Sequence, residues 1–318
     1  MRSTPSKSRS ARHWRRIAAA GAIALAASGC ADTSPETATS PVLTLATTTA
    51  PEAAPTGSAI SICTLLDGPG CVFDYGNFSE PTVIDNPYLP LVPGTRLIYD
   101  GTTNEEELLD HQVVITVTDL TKVIDGIDTV VSWDLDYSDG ELAEAELAFF
   151  AQDDDGNVWR MGEHPEEYED GEIVDSPTWL AGVDGAKAGI SMLGDPVIGT
   201  LSYSQGWAPT VGFNDRAVVH EAGAADCTFY DCFDEVLVVA EFNVFEPGAF
   251  QLKYFAPGIG NIRVGWEGRD TTREELQLVA IAQLDAGELA AAAAAAFELE
   301  ASAYEVSADV YGGTLPMQ

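Results

Sequence analysis

The chain has 318 residues and a formal net charge of −36, because 51 acidic residues outnumber 15 lysines and arginines. Such a chain repels nucleic acid and anionic lipid headgroups, so we expect no nucleic-acid partner. The acidic residues are spread along the sequence, which predicts a solvated acidic surface. The more specific alternative is that many carboxylates together bind cations weakly.

Residues 1–29 have the features of a bacterial lipoprotein signal peptide. Six basic residues are followed by an apolar run at 17–29 that is too short to span a membrane. The string Ala27-Ser28-Gly29-Cys30 resembles a lipobox, with Ala27 where Leu is usual. We therefore expect lipidation of Cys30, a lipid anchor in the bacterial cell membrane and an extracytoplasmic location. The alternative is a secreted protein without a lipid anchor, in which the cysteine at position 30 is coincidental.

Removal of residues 1–29 would take away six basic residues and no acidic one, leaving a net charge of −42. Residues 30–60 are mostly Ala, Ser, Thr and Pro. Such a composition cannot bury enough apolar surface to fold, so this stretch is predicted to be a flexible tether. The folded domain is predicted to be a monomer that spans residues 61–313.

Four further cysteines, Cys63, Cys71, Cys227 and Cys232, suit an exported protein with two disulfides. Three connectivities are possible. We favour the local pairs Cys63–Cys71 and Cys227–Cys232, each closing a short loop. Neither spacing is C-x2-C and no histidine lies close in sequence, which argues against a metal site.

The stretch 85–101, DNPYLPLVPGTRLIYDG, is predicted to organise the fold. Two X-Pro steps keep its first part extended, and Val92-Pro93-Gly94-Thr95 suits a turn. Residues 96–99 are predicted to be a strand that ends in a turn at Asp100-Gly101.

A long antiparallel meander is predicted to follow. Asp-Gly pairs, the strongest short hairpin signal, stand between runs of strand-forming residues at 125–126, 139–140, 155–156 and 170–171. In residues 131–138 apolar side chains alternate with Ser132, Asp134, Asp136 and Ser138, which predicts a strand with one acidic, wet face. Residues 200–205 are predicted to form a further strand after a loose connection.

One helix is predicted near the C-terminus, at about 286–305. Asp285 and Glu288 form a capping box before an alanine run. Leu289, Ala293, Phe297, Ala301 and Tyr304 share one face at helical spacing, and we expect that face to pack on the sheet. The residues after the helix are predicted to be an extended tail. The fold class is therefore mainly β: a half-barrel or curved sheet with one C-terminal helix packed on it.

Several strings together resemble a family of exported bacterial proteins with no assigned activity. They are NPYLPLVPGTRLIYDG, DDDGNVWRMGE, AGVDGAKAGI and YFAPGIGNIRV, within residues 72–313. The chain departs from the family pattern at Lys187-Ala188 and in its Cys227/Cys232 loop. The resemblance implies export but assigns no catalytic residue. More distantly, the outline is similar to the half-barrels of bacterial lipoprotein carriers.

No catalytic motif stands out in the sequence. Asp153, Asp154 and Asp155 are weak candidates for binding Ca²⁺, which takes oxygen ligands, but a solvated hairpin tip is the more economical interpretation. The acidic stretch 163–170 around His164 is likewise predicted to be a wet hairpin. No other cofactor is predicted.

These features favour a non-catalytic envelope protein with a binding or structural role and an envelope partner or ligand. One alternative is a carrier that encloses an apolar ligand in a half-barrel cavity. The other is a hydrolase that uses two carboxylates facing each other across a cleft.

Overall fold

The computed structural model describes residues 73–104 and 107–318. The predicted signal peptide and tether, together with Cys30, Cys63 and Cys71, lie outside the described residues. In the described part, no helix is both long enough and apolar enough to span a membrane.

A single antiparallel sheet makes up most of the fold. Its strands are β1 Thr95–Asn104, β2 Leu108–Ile124, β3 Ile127–Ser138, β4 Glu141–Gln152, β5 Val158–Glu169, β6 Glu172–Asp175, β7 Trp179–Leu180, β8 Lys187–Met192, β9 Tyr203–Ser204, β10 Gly206–Trp207, β11 Asp215–Cys227, β12 Cys232–Asn243, β13 Ala249–Ala256, β14 Gly260–Gly268 and β15 Glu275–Gln283. The predicted fold class is confirmed, because meander pairing continues from β1 to β5 and from β11 to β15.

The sheet curves into a nearly closed barrel. Strands β1 and β15 pair directly and join the two meanders. On the far side, β10 pairs with β8 while β9 pairs with β11, and only Gln205 separates β9 from β10. The predicted strand at 200–205 is therefore reduced to Tyr203–Ser204, because the chain changes its pairing partner at Gln205.

The Asp-Gly turns explain why the long hairpins form where they do. At Asp125-Gly126, Asp139-Gly140 and Asp170-Gly171 both residues have positive φ, as a type I′ turn requires. At Asp155-Gly156 only the glycine has positive φ, so that connection is a different turn. The turn predicted at Asp100-Gly101 is wrong, since β1 runs through it.

The predicted organising stretch caps one end of the barrel. Asn86 donates through Nδ2 to Gly156 O (2.8 Å), in the β4–β5 turn. On the opposite side, Gly258 N in the β13–β14 turn donates to Pro87 O (2.7 Å). The chain then turns at Gly94, whose φ is 85°. We call this end of the barrel the capped end. The opposite end, where β1 leads into β2, is called the His111 end.

Helix α1, Ala286–Val306, has the predicted capping box at Asp285. It packs mainly against β2 and β4. The predicted contact face is wrong in part: the buried side chains are those of Ala292, Ala296, Leu299, Glu300 and Ala303, whereas Phe297 is exposed. Alanine lets the helix approach the sheet closely, so the smallest side chains face inward, and an alanine run offers no contrast from which to choose a face.

The C-terminal segment is not the extended tail predicted. A second short helix, α2 Ala308–Tyr311, buries Tyr311. Beyond it, Gln318 and Thr121 exchange two backbone hydrogen bonds (2.9 and 3.0 Å). These bonds hold the last residue against β2.

Candidate functional site

The register of the strands shows which side chains share the inner face of the barrel, because laterally paired residues point to the same side. Ile115 pairs with Asp134, and Asp134 pairs with Glu146. On the opposite wall, Ala217 pairs with Glu241. Arg160 on β5 influences the pKa of Asp134 on the first wall and the pKa values of Asp215 and Lys253 on the second, so these side chains face the interior.

The inner face has an apolar half toward the capped end. Leu237, Val239 and Phe255 are buried in one hydrophobic cluster with Val117 and Leu91. A second cluster around Tyr99 includes three half-buried inner-face side chains that lie level with the carboxylates, because Val113 pairs with Asp136 and Ile115 with Asp134. They are Leu97, Val113 and Ile115. These three side chains are therefore partly accessible to solvent.

The other half of the inner face, toward the His111 end, is rich in carboxylates. Its acidic side chains are buried or half-buried. They are Asp134, Asp136, Glu144, Glu146, Glu163, Asp215, Glu241 and Glu274. The basic residues on this face of the described strands are Arg160, Lys253 and His111. The carboxylates therefore outnumber the cations that face them.

Two of these carboxyls have strongly raised pKa values. Burial, together with the charge of Glu146, raises the pKa of Asp134 to about 7. Burial and the charges of Glu241 and Glu163 likewise raise the pKa of Asp215 to about 7. The Arg160 guanidinium opposes both shifts. Both groups can therefore exchange protons near neutral pH.

Lys253 and Tyr203 lie on the wall formed by β9, β11, β12 and β13. The Lys253 ammonium is 2.9 Å from a Glu241 oxygen, and the other Glu241 oxygen accepts from Gln205 Nε2 (2.6 Å). Tyr203 is 2% exposed, and its hydroxyl has no hydrogen-bond partner among the described residues. Burial and the Glu241 charge raise the pKa of Tyr203, so it stays protonated.

His111 joins the two meanders at its end of the barrel. Its Nε2 lies 2.9 Å from Glu274 Oε1 and its Nδ1 lies 3.2 Å from Asp136 Oδ1. Burial lowers the pKa of His111, but the hydrogen bond to Glu274 and the two carboxylate charges outweigh it, so the net shift is upward. Gln251 donates to the second Glu274 oxygen (2.6 Å).

The acidic turn at 153–155 is solvated at Asp154 and Asp155, which are exposed, whereas Asp153 has a structural role. Asp153 is buried, and its carboxylate accepts hydrogen bonds from Asn157 N (2.8 Å) and Trp159 Nε1 (2.7 Å). Asp154 accepts from Ser79. No cluster of three or more His, Cys, Asp or Glu side chains able to hold a metal ion occurs in residues 73–104 and 107–318.

The acidic stretch around His164 is also not the wet hairpin predicted, because Glu163, His164, Glu166 and Glu167 are all buried. His164 Nδ1 lies 2.7 Å from Thr178 Oγ1, which lies 2.8 Å from Ser307 Oγ. This polar cluster connects β5 to the junction of the two helices. The sequence shows a run of polar residues there, but not that the junction of the two helices covers His164.

Cys227 and Cys232 form the predicted local disulfide, with Cα atoms 4.0 Å apart. The loop that it closes exposes Phe229 and Tyr230. It folds back so that Tyr230 N donates to Leu278 O (3.1 Å).

Comparisons with known proteins give two solved structures of weak similarity. One is a candidate exported protein with a YmcC-like fold from Bacteroides fragilis, at 11% identity and a TM-score of 0.37, over 62% of this chain and 99% of that one. The other is a candidate lipoprotein from Parabacteroides distasonis, at 9% identity and a TM-score of 0.33, over 62% of this chain and 100% of that one. No protein-family model and no curated protein matches the chain.

Proposed function

We propose that this chain is a lipid-anchored, extracytoplasmic binding protein without catalytic activity, whose site for a positively charged ligand is the carboxylate-rich half of the barrel's inner face. The excess of partly buried carboxylates over Arg160, Lys253 and His111 on that face carries the proposal. Carboxylates in a partly desolvated site are costly unless they are protonated or face a cation, so a cationic group gains free energy on entering.

The lipobox-like string before Cys30 supports the anchor. We expect the mature protein to begin at Cys30 with a diacylglyceryl group on its sulfur, because two acyl chains anchor a protein stably where one does not. Mass spectrometry of the N-terminal peptide from purified membranes tests this. An unmodified N-terminus at another residue would contradict it.

The inner-face site can be tested with small organic cations. We expect butylamine and putrescine to bind the purified protein and butyrate not to bind, with affinities that fall as salt screens the charges. The measurement is isothermal titration calorimetry on residues 31–318, exported with an ordinary secretory signal and hence free of lipid. This form retains the whole described barrel.

Variants in which carboxylates are replaced by neutral amides show where the amines bind. Asp134→Asn combined with Asp215→Asn should weaken amine binding at least several-fold. The matched control is Asp170→Asn combined with Glu172→Gln, which removes the same formal charge from an exposed turn and should leave the affinity unchanged. Equal weakening in both would show that the amines sense only the net charge, and the site proposal would be lost.

A further inference from the structure

Carboxylates on the inner face stand directly beside one another on neighbouring strands. Asp134 on β3 pairs with Glu146 on β4. Nearer the His111 end, Asp136 pairs with Glu144, which pairs in turn with Glu167 on β5. Side chains paired in this way have Cβ atoms roughly 4.5–5.5 Å apart. A negative charge on one member of such a pair disfavours ionisation of the other, and burial adds to the effect.

Asp134 shows this effect most clearly. The groups that face it are Glu146 and Glu144 on β4, Arg160 on β5, Ser132 on its own strand and Ile115 on β2. Burial, followed by the charge of Glu146, raises the pKa of Asp134 to about 7. The hydrogen bond from Ser132 (2.6 Å) and the charge of Arg160 oppose this rise. Near neutral pH this carboxyl therefore carries a proton about half of the time.

Asp215 on the opposite wall is in a similar position. The groups that face it are Glu241 and Asn243 on β12 and Glu163 and Arg160 on β5, and Lys253 and Tyr203 belong to the same wall. Burial and the charges of Glu241 and Glu163 raise the pKa of Asp215 to about 7. Arg160 and a hydrogen bond from Asn243 (3.3 Å) oppose this rise. Both walls therefore carry a carboxyl whose proton a cation can replace.

We propose that the cationic ligand and protons compete for the same inner-face carboxylates, so that the ligand binds in exchange for protons and leaves in acid. The inference rests on the proposed cation site and adds its regulation. An ionised carboxylate attracts an ammonium group, whereas a protonated carboxyl does not. The carboxylic O–H proton therefore passes to water as the cation binds, and the electron pair of that bond stays on the carboxylate oxygen.

The number of protons released on binding tests the exchange. Putrescine keeps both of its protons at pH 7, because aliphatic amines have a pKa of about 10, so any released proton comes from the protein. We expect about one proton for each bound putrescine at pH 7, about half from each of the two carboxyls. The measurement is a pH-stat titration of the lipid-free form of residues 31–318 with putrescine. The unaltered protein suffices, so no variant has to fold.

The affinity for putrescine gives an independent measurement. For each of the two carboxyls that must lose its proton, the affinity should fall about thirtyfold between pH 8 and pH 5.5 at constant ionic strength. Because folding raises the pKa of both carboxyls, acid stabilises the folded barrel, and weaker binding at pH 5.5 does not come from unfolding. Circular dichroism at both pH values checks that the fold is retained.

Single variants locate the exchanged protons. Asp134→Asn and Asp215→Asn, each at saturating putrescine, should release about half as many protons as the unaltered protein. The matched control is the exposed pair Asp170→Asn and Glu172→Gln, for which the proton count should be unchanged. If both single variants released as many protons as the unaltered protein, the protons would come from other groups and the exchange at these carboxyls would be wrong.

The outcomes distinguish the two proposals. Putrescine that binds equally well at pH 8 and pH 5.5 and releases no protons would overturn the exchange and leave the cation site standing. If putrescine binds at neither pH, both the cation site and the exchange are wrong.

Discussion

The barrel should become more stable when the pH falls from about 8 to about 5.5, by about 2 kcal/mol for each of Asp134 and Asp215. Both have a pKa of about 7 in the folded protein against the ordinary 3.8. A carboxyl whose pKa is raised by folding stabilises the folded state below its unfolded pKa, and this contribution is lost as the pH rises through the folded pKa. The upward pKa shift of His111 acts in the same direction.

Thermal unfolding followed by circular dichroism measures this effect, with an expected rise in melting temperature of roughly 10 °C for the two groups together. Asp134→Asn combined with Asp215→Asn should abolish most of the pH dependence and raise the melting temperature at the higher pH. The exposed pair Asp170→Asn and Glu172→Gln should keep the wild-type profile. If the variant with Asp134→Asn and Asp215→Asn kept the pH dependence of the wild-type melting temperature, the raised pKa values of these two carboxyls would be contradicted.

Replacing Lys122 by methionine should destabilise the protein by about 3–5 kcal/mol, the usual cost of removing one partner of a buried ion pair. Lys122 is 1% exposed. Its ammonium lies 2.8 Å from Glu300 Oε1, donates to Leu315 O (2.7 Å) and stands 4.7 Å from the centre of the Tyr311 ring. Without it, the Glu300 charge is buried unpaired.

The control is the double variant Lys122→Met with Glu300→Gln, which removes both charges. It should recover part of the lost stability, because glutamine leaves no unpaired charge and its carbonyl can still accept from Met317 N, as Glu300 does. Urea unfolding of the two single variants and the double variant gives the coupling energy. Strict additivity would show that Lys122 and Glu300 do not act as a pair.

The architecture could be predicted from the sequence because hairpins are local. Asp125-Gly126 and Asp139-Gly140 set the turns, and alternation between them set the two faces of β3. The capping box at Asp285 likewise marked the start of the helix. Each of these signals lies within a few residues of the structure that it specifies.

The site could not be predicted, because it depends on which face of each strand turns inward. Alternation showed that Asp134 and Asp136 share a face and suggested a wet surface, whereas that face became the inside of a barrel. Nothing near Tyr203 or Glu241 in sequence indicates that they oppose β3. Closure of the sheet brings these residues together, and it depends on the pairing of strands that are distant in the chain.

The sheet closes into a barrel through two very short strands, β9 and β10, and we call this closure the seam. Between β8 and β11 the sheet is held only by β9 and β10, of two residues each, while neighbouring strands such as β5 and β11 have 12 and 13. Regions with few backbone pairs open at lower free energy than the rest of a domain. We therefore expect the stretch Tyr203–Trp207 to open at a lower free energy than the two meanders that it joins.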